Sequence, residues 1–175
     1  MNNSTLISTL QQLGNGLPAA TIEQELAPIR VAVSGATGAI GSFLCQFIAQ
    51  GRMFGPYQRV ILQLVGSPHS GEEPMRGLAM ELFDGAYSTL HSIEYTCDPM
   101  VGFKDIDAAI LCASVPRLPG MERHDLLLGN AKLYQAHGAA IDAVAKKTVK
   151  VCVVGNPCNT NARVLSLYAP SIPKS

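Results

Sequence analysis

Three groups of residues in this chain have types and spacings that could do chemistry. The first is Gly35, Gly38 and Gly41, a G-x-x-G-x-x-G pattern with Ala36 and Thr37 inside it. Glycine admits positive φ and lets a diphosphate approach the backbone, whose free N–H groups at a helix start then meet the anion. The same spacing also serves purely steric needs where a strand turns into a helix. The second group is Arg117 and Arg123, with Gly120 between them and Glu122 and Asp125 as the nearby acids. Two guanidinium groups on a hinged loop can close over a small dianion, each gripping a carboxylate through paired hydrogen bonds, or they can flank the loop and stay solvated. The third is Asn156, followed by Pro157. An amide there can donate to a substrate oxygen or a nicotinamide edge, and Asn before Pro is also ordinary turn chemistry.

Other constellations are missing from the sequence. The five cysteines, Cys45, Cys97, Cys112, Cys152 and Cys158, form no C-x-x-C pair and show no metal-ligand spacing with histidine, so they read as buried, reduced thiols of a cytoplasmic protein. None of Tyr57, Tyr87, Tyr95, Tyr134 and Tyr168 has Lys four residues on, which argues against a short-chain-type oxidoreductase. His69, His91, His124 and His137 are the candidate proton carriers, and His124 beside the arginine loop reads as a solvated helix-start residue.

The elements that must position these residues alternate. Val31-Ala32-Val33 before the glycines is short and β-branched enough for a buried parallel strand, and Ile40, Phe43, Leu44, Phe47 and Ile48 then fall at helical spacing on one face. Val60 to Val65 is a second strand at βαβ distance, followed by a turn over Gly66 to Gly71 and a helix from Glu73 to about Ala86. Ser92 to Cys97 and Ala108 to Ala113 are a third and fourth strand. A helix from about Arg123 to Lys146 should turn Leu126, Leu127, Leu133, Ala136, Ala140, Ile141 and Val144 inward. Val149 to Val154 is a fifth strand, and Thr160 or Asn161 could cap a last helix. The class is α/β with a doubly wound, mostly parallel sheet, in which ligands bind beyond the carboxyl ends of the strands.

Length and composition narrow the reading further. At 175 residues one domain is expected, and 47% hydrophobic with 15% charged residues suits a sheet covered on both faces. Lys plus Arg and Asp plus Glu are both 13, so no global field favours nucleic acid or an anionic membrane. No apolar run approaches the roughly 18 residues that a membrane span needs. Residues 1–27 carry no Lys or Arg and read as an amino-terminal extension, a short helix on Leu6, Leu10, Leu13 and Leu17 or a frayed tail; residues 28–175 read as the dinucleotide-binding domain.

These motifs carry a resemblance. Val33 to Gly41, Met53-Phe54-Gly55-Pro56, Met80-Glu81-Leu82, Phe103-Lys104-Asp105, Pro116-Arg117, Pro119 to Arg123, Asp125-Leu126-Leu127 and Val153 to Pro157 with Asn159-Thr160-Asn161 occur in an order and spacing that resemble the amino-terminal half of the cytosolic-type malate dehydrogenases, in the lactate/malate dehydrogenase family. The resemblance implies a Rossmann-type domain whose Gly35, Gly38 and Gly41 hold the pyrophosphate, with Ile40 among the cofactor contacts. It implies that Arg117 grips the distal carboxylate of malate or oxaloacetate, that Arg123 binds substrate and polarises its carbonyl, and that Asn130 and Asn156 meet substrate and nicotinamide. It also implies a homodimer.

The chain departs from that pattern in two places. An NAD site puts Asp or Glu at the end of the second strand, on the adenosine ribose. This chain has Gly66 there, followed by Ser67, His69 and Ser70, which resembles the NADP-dependent branch and predicts a preference for NADP(H), with NAD(H) as the alternative. The family's acid/base histidine, the aspartate that orients it and a further arginine belong to a carboxyl-terminal catalytic domain that the sequence does not reach. A general acid/base is typically worth about 10²–10⁴-fold in rate, so the chain alone is expected not to turn over malate. The alternative is a stand-alone or degenerate nucleotide-binding or interaction module without redox activity.

Overall fold

The computed structural model describes residues 27–116 and 119–174. The expectation for Leu6 to Leu17 falls on residues outside those described. In chain order the elements are β1 (Ile29–Ser34), α1 (Ala39–Ala49), β2 (Val60–Val65), α2 (Glu73–Asp84), β3 (Leu90–Thr96), α3 (Pro99–Gly102), β4 (Ala108–Leu111), α4 (Arg123–Val144), β5 (Lys150–Val153) and α5 (Cys158–Tyr168). The strands form one sheet in the order β3-β2-β1-β4-β5, and every pair is parallel. Alternation along each strand splits the core in two. Val31, Val33, Leu62, Leu64 and Ala108 pack with α1 and α2 on one face, and Ala32, Val65, Ala109 and Leu111 pack with Phe103, Tyr134, Ile141 and Leu165 on the other. That is the doubly wound sheet the sequence predicts.

Local chemistry sets the helix ends. Pro74 stands in the first turn of α2, where its missing N–H is no loss. The Asp98 carboxylate accepts the Met100 N–H at 2.8 Å and starts the short helix α3, where the sequence suggests only a strand ending. Glu122 and Asp125 form a reciprocal capping box at the head of α4, so the two acids of the arginine loop serve the backbone. The last helix begins at Cys158, ahead of the expected Thr160 or Asn161 cap, with Pro157 at the cap position.

Two predicted faces are corrected. In α1 the buried residues are Gly41, Cys45, Ile48 and Ala49, while Ile40 and Phe43 are each 60% exposed. The cause is Gly41, which must sit against the glycine turn and so fixes the rotation of the helix. Phe43, rolled outward, and the half-buried Phe47 stack edge to face with centroids 4.7 Å apart, and the Arg52 guanidinium lies 4.9 Å over Phe47. In α4, Ala140 and Ile141 are buried as expected and Leu126, Leu133 and Val144 are half-buried, but Leu127 and Ala136 are exposed. Their place inside is taken by Asn130, Tyr134 and His137, polar residues one turn apart that apolar periodicity overlooks. Of the thiols only Cys45 is fully buried; Cys97 and Cys112 are half-buried, and Cys152 and Cys158 are exposed, so the expectation of buried cysteines was too broad.

Candidate functional site

The order of strands reverses around β1, so the loops leaving β1, β2, β4 and β5 gather at one edge of the sheet, where a crevice for a ligand is expected. The β1 turn is the tightest of them. Gly35 has φ +70°, and its N–H donates to the Val65 carbonyl at 3.0 Å. Gly38 N–H donates back to the Gly35 carbonyl at 3.1 Å, and Ser42 N–H to the Gly38 carbonyl at 2.8 Å, so the chain passes directly from turn into α1. A β-carbon on Gly35 would lie 2.7 Å from the Ala113 amide nitrogen, and one on Gly41 would collide with the Gly35 carbonyl oxygen and stand 2.9 Å from the Ala36 Cα. Both neighbours are backbone and cannot rotate away.

The head of α1 is bare. Gly38 occupies the cap position without a side-chain cap, no acid stands in the first turn, and Thr37, Gly38, Ala39 and Ile40 are exposed. Unpaired N–H groups and the positive end of the helix dipole therefore face outward beside a turn that no side chain fills. Beneath it the Ser34 hydroxyl is buried with no hydrogen-bond partner. A dinucleotide's pyrophosphate fits this surface. The expected cofactor contacts Gly35, Gly38, Ile40 and Gly41 are contiguous here, with Ile40 on the surface rather than in the core.

The β2 end is a second, exposed turn. Gly66 N–H donates to the Thr96 carbonyl at 2.9 Å. The Ser67 carbonyl accepts from the Ser70 N–H at 3.1 Å and the Cys97 thiol at 3.3 Å, and the Ser67 hydroxyl accepts the His69 N–H at 3.2 Å. Burial and then the Glu72 charge push the Cys97 thiol up. Arg76 pairs with Glu73 at 3.5 Å on the surface of α2.

At the β4 and β5 ends the geometry is of another kind. Arg117 lies outside the described residues, and Arg123 opens α4 after the Pro119-Gly120 turn and the Glu122 cap, with Gly120 at φ +83°. The Asn130 side chain is buried: its oxygen accepts the Val115 N–H at 3.0 Å, and its amide donates to the Leu126 carbonyl at 2.9 Å. Tyr134 places its hydroxyl 3.1 Å from the Leu111 carbonyl and 3.0 Å from that of Ala113, donating to one at a time, and burial pushes its pKa up to about 12. His137, packed edge to face on Phe103 and Tyr134, has no partner for Nδ1, and burial lowers its pKa to about 4. Asn156 is exposed beyond β5, joined to Pro157 by a cis peptide bond, and the Asn161 amide holds the preceding Gly155 carbonyl at 2.8 Å. Sequence reasoning missed Tyr134 and Asn161. The spacing 130, 134, 137 along one side of α4 was the available signal.

The comparisons with known proteins agree with this edge. The model of the lactate/malate dehydrogenase NAD binding domain matches residues 29–175. Among solved structures, the malate dehydrogenase of Naegleria fowleri is 42% identical with a TM-score of 0.81, covering 85% of this chain and 46% of that one. The lactate dehydrogenase of Trichomonas vaginalis, in complex with NADH and oxamate, is 39% identical with a TM-score of 0.76, covering 82% of this chain and 43% of that one. The malate dehydrogenase of Picrophilus torridus is 26% identical with a TM-score of 0.66, covering 84% and 44%. The chain thus spans less than half the length of each of these relatives. With the family model matched along nearly all the described residues, this chain belongs to the lactate/malate dehydrogenase family and carries its NAD-binding domain.

Proposed function

We propose that this chain is the cofactor-binding half of a malate dehydrogenase, which moves a hydride between malate or oxaloacetate and a nicotinamide dinucleotide. The observation that carries the dinucleotide part is the bare β1 turn running into the uncapped head of α1. For the substrate, both malate and lactate dehydrogenases are among the relatives, so identity does not choose. The sequence Pro116-Arg117 with Arg123, leaving β4 and entering α4, supports a dicarboxylate: Arg117 suits the distal carboxylate and Arg123 the carboxylate and carbonyl beside the reacting carbon. Asn130 serves by holding the start of that loop, and Asn156 by presenting its amide toward substrate and nicotinamide.

For the cofactor, Gly66 in place of a ribose-binding acid, with the exposed Ser67, His69 and Ser70 after it, supports NADP(H) over NAD(H). The exposed Met80 and Phe83 on α2 support a homodimer, and the exposed thiols of Cys152 and Cys158 support the cytoplasm. The test is steady-state reduction by the intact enzyme of oxaloacetate against pyruvate, each with NADPH and NADH. Oxaloacetate with NADPH should be the preferred pair, and Arg117→Gln should lower kcat/KM for oxaloacetate at least about 100-fold. Preference for pyruvate overturns the substrate assignment; preference for NADH overturns the cofactor assignment.

A further inference from the structure

We infer that Met75 sets the cofactor selectivity of this site, by filling the space from which a ribose-binding carboxylate would have to rise; this rests on the NADP(H) reading above. In a dinucleotide fold the acid that accepts the adenosine hydroxyls stands at the end of the second strand. Here that position is Gly66, still tied to β3 through its N–H on the Thr96 carbonyl at 2.9 Å. Alternation along β2 sends the side chains of Leu62 and Leu64 into the core under α1 and α2, and position 66 continues that row. A β-carbon at Gly66 would lie 2.6 Å from the Met75 Sδ and would overlap its terminal methyl group.

Met75 meets that β-carbon with the flexible end of its side chain, but that end is enclosed. It is 1% exposed, stands in the first turns of α2 behind Pro74, and belongs to the same buried cluster as Leu62, Leu64, Leu78 and Leu82. Moving the thioether means pushing it into packed leucines or out of the core, and a carboxylate set against it would lose water without gaining a donor. The site is therefore kept free of a carboxylate by packing as well as by the choice of glycine. An acid restored at position 66 alone stays strained and cannot reach the ribose; it reaches the ribose once Met75 is shortened.

The test titrates the intact enzyme with NADPH and with NADH by nucleotide fluorescence, and records thermal midpoints, for the parent, Gly66→Asp, Met75→Val and the double variant. The parent and Met75→Val should bind NADPH more tightly. Gly66→Asp should melt well below the parent and change the NADH-to-NADPH affinity ratio only slightly, because its carboxylate is misdirected. The double variant should regain thermal midpoint relative to Gly66→Asp and move the ratio toward NADH by at least about tenfold, through hydrogen bonds to the ribose and repulsion of the 2′-phosphate. If Gly66→Asp alone moves the ratio as far as the double variant, Met75 is not the determinant, although the NADP(H) reading stands. If the parent itself prefers NADH, that reading fails and this inference with it, a result seen before any variant is made. Should Gly66→Asp not fold, Gly66→Ser serves: its loss of midpoint should be largely rescued by Met75→Val, and additive losses in the pair overturn the packing claim.

Discussion

The loop after β1 and the loops after β4 and β5 lie at the same edge of the sheet and are kept in shape by opposite means. The β1 turn is defined by side chains that are not there: Gly35 and Gly41 leave backbone against backbone, and the head of α1 has no cap. The β4 and β5 ends are defined by side chains hidden beneath them, with Asn130 on Val115, Tyr134 on Leu111 and Ala113, and Asn161 on Gly155. The difference follows from what each end has to do. A pyrophosphate is bound by main-chain N–H groups, which need a bare and sharply curved backbone. Loops that act through side chains, the role proposed for the exposed Asn156, need a polar scaffold that holds their own backbone still.

The comparison breaks most sharply at Gly41. Gly41→Val drives a branched side chain into the Gly35 carbonyl and the Ala36 backbone, so the turn must open or α1 must lift from the sheet. Overpacking against rigid atoms should cost about 3 kcal/mol. Denaturant unfolding reads that loss. Affinity for NADPH and for ADP, which carries only the adenosine diphosphate part, should both fall at least about 100-fold. Retained affinity for ADP would move the phosphate seat elsewhere.

At the other end the largest effect is one of pH. His137 has its folded pKa lowered from 6.5 to about 4 by burial among Phe103 and Tyr134. Between these values the unfolded chain binds the proton and the folded chain does not. Stability is therefore complete above about pH 6.5 and declines as pH falls toward 4, by about 3 kcal/mol in all, on 1.36 kcal/mol per pKa unit. His137→Leu should flatten that stretch of the stability profile measured by urea unfolding; an unchanged slope would assign it to other groups. Next comes Asn130→Ala, which leaves the part-buried Val115 N–H without its acceptor, while the Leu126 carbonyl keeps its place in the α4 ladder, and should cost about 2 kcal/mol. In the intact enzyme it should also loosen the start of the arginine loop, raising KM for oxaloacetate more than KM for cofactor.

The same contrast explains what was legible in the sequence. Gly35, Gly38 and Gly41 can be found by eye because a bare turn leaves a compositional mark between a strand and a helix, and the alternation of elements gives the doubly wound sheet. The props on α4 leave no such mark. Asn130, Tyr134 and His137 look like a polar side of the helix, and Leu127 and Ala136 look like its core, because periodicity counts apolar residues and cannot know that the Ala113 carbonyl beyond β4 takes its donor from α4. The outward roll of Phe43 is hidden for a related reason: the fit of Gly41 on Gly35 outweighs the burial of an aromatic ring, and that fit is a distance rather than a composition. Met75 belongs to the same class, an ordinary core methionine until its approach to Gly66 is measured.

The finest test of the contrast is Tyr134→Phe, which removes one oxygen and keeps the ring on His137. The Leu111 carbonyl also accepts the N–H groups of Val154, at 2.9 Å, and Gly155, at 3.0 Å, so it stays satisfied; the Ala113 carbonyl loses the hydroxyl. One such bond has a net worth of about 1 kcal/mol, and unfolding should register a loss of that size. Because Tyr134 props the β4 and β5 ends and not the β1 turn, affinity for ADP should stay within about twofold of the parent, the opposite of Gly41→Val. The one contact that could spoil the separation is at Gly35, where a β-carbon would lie 2.7 Å from the Ala113 amide nitrogen. If Tyr134→Phe weakens ADP as well as stability, the two ends share one backbone unit through Gly35 and Ala113, and the prop under β4 also shapes the phosphate seat.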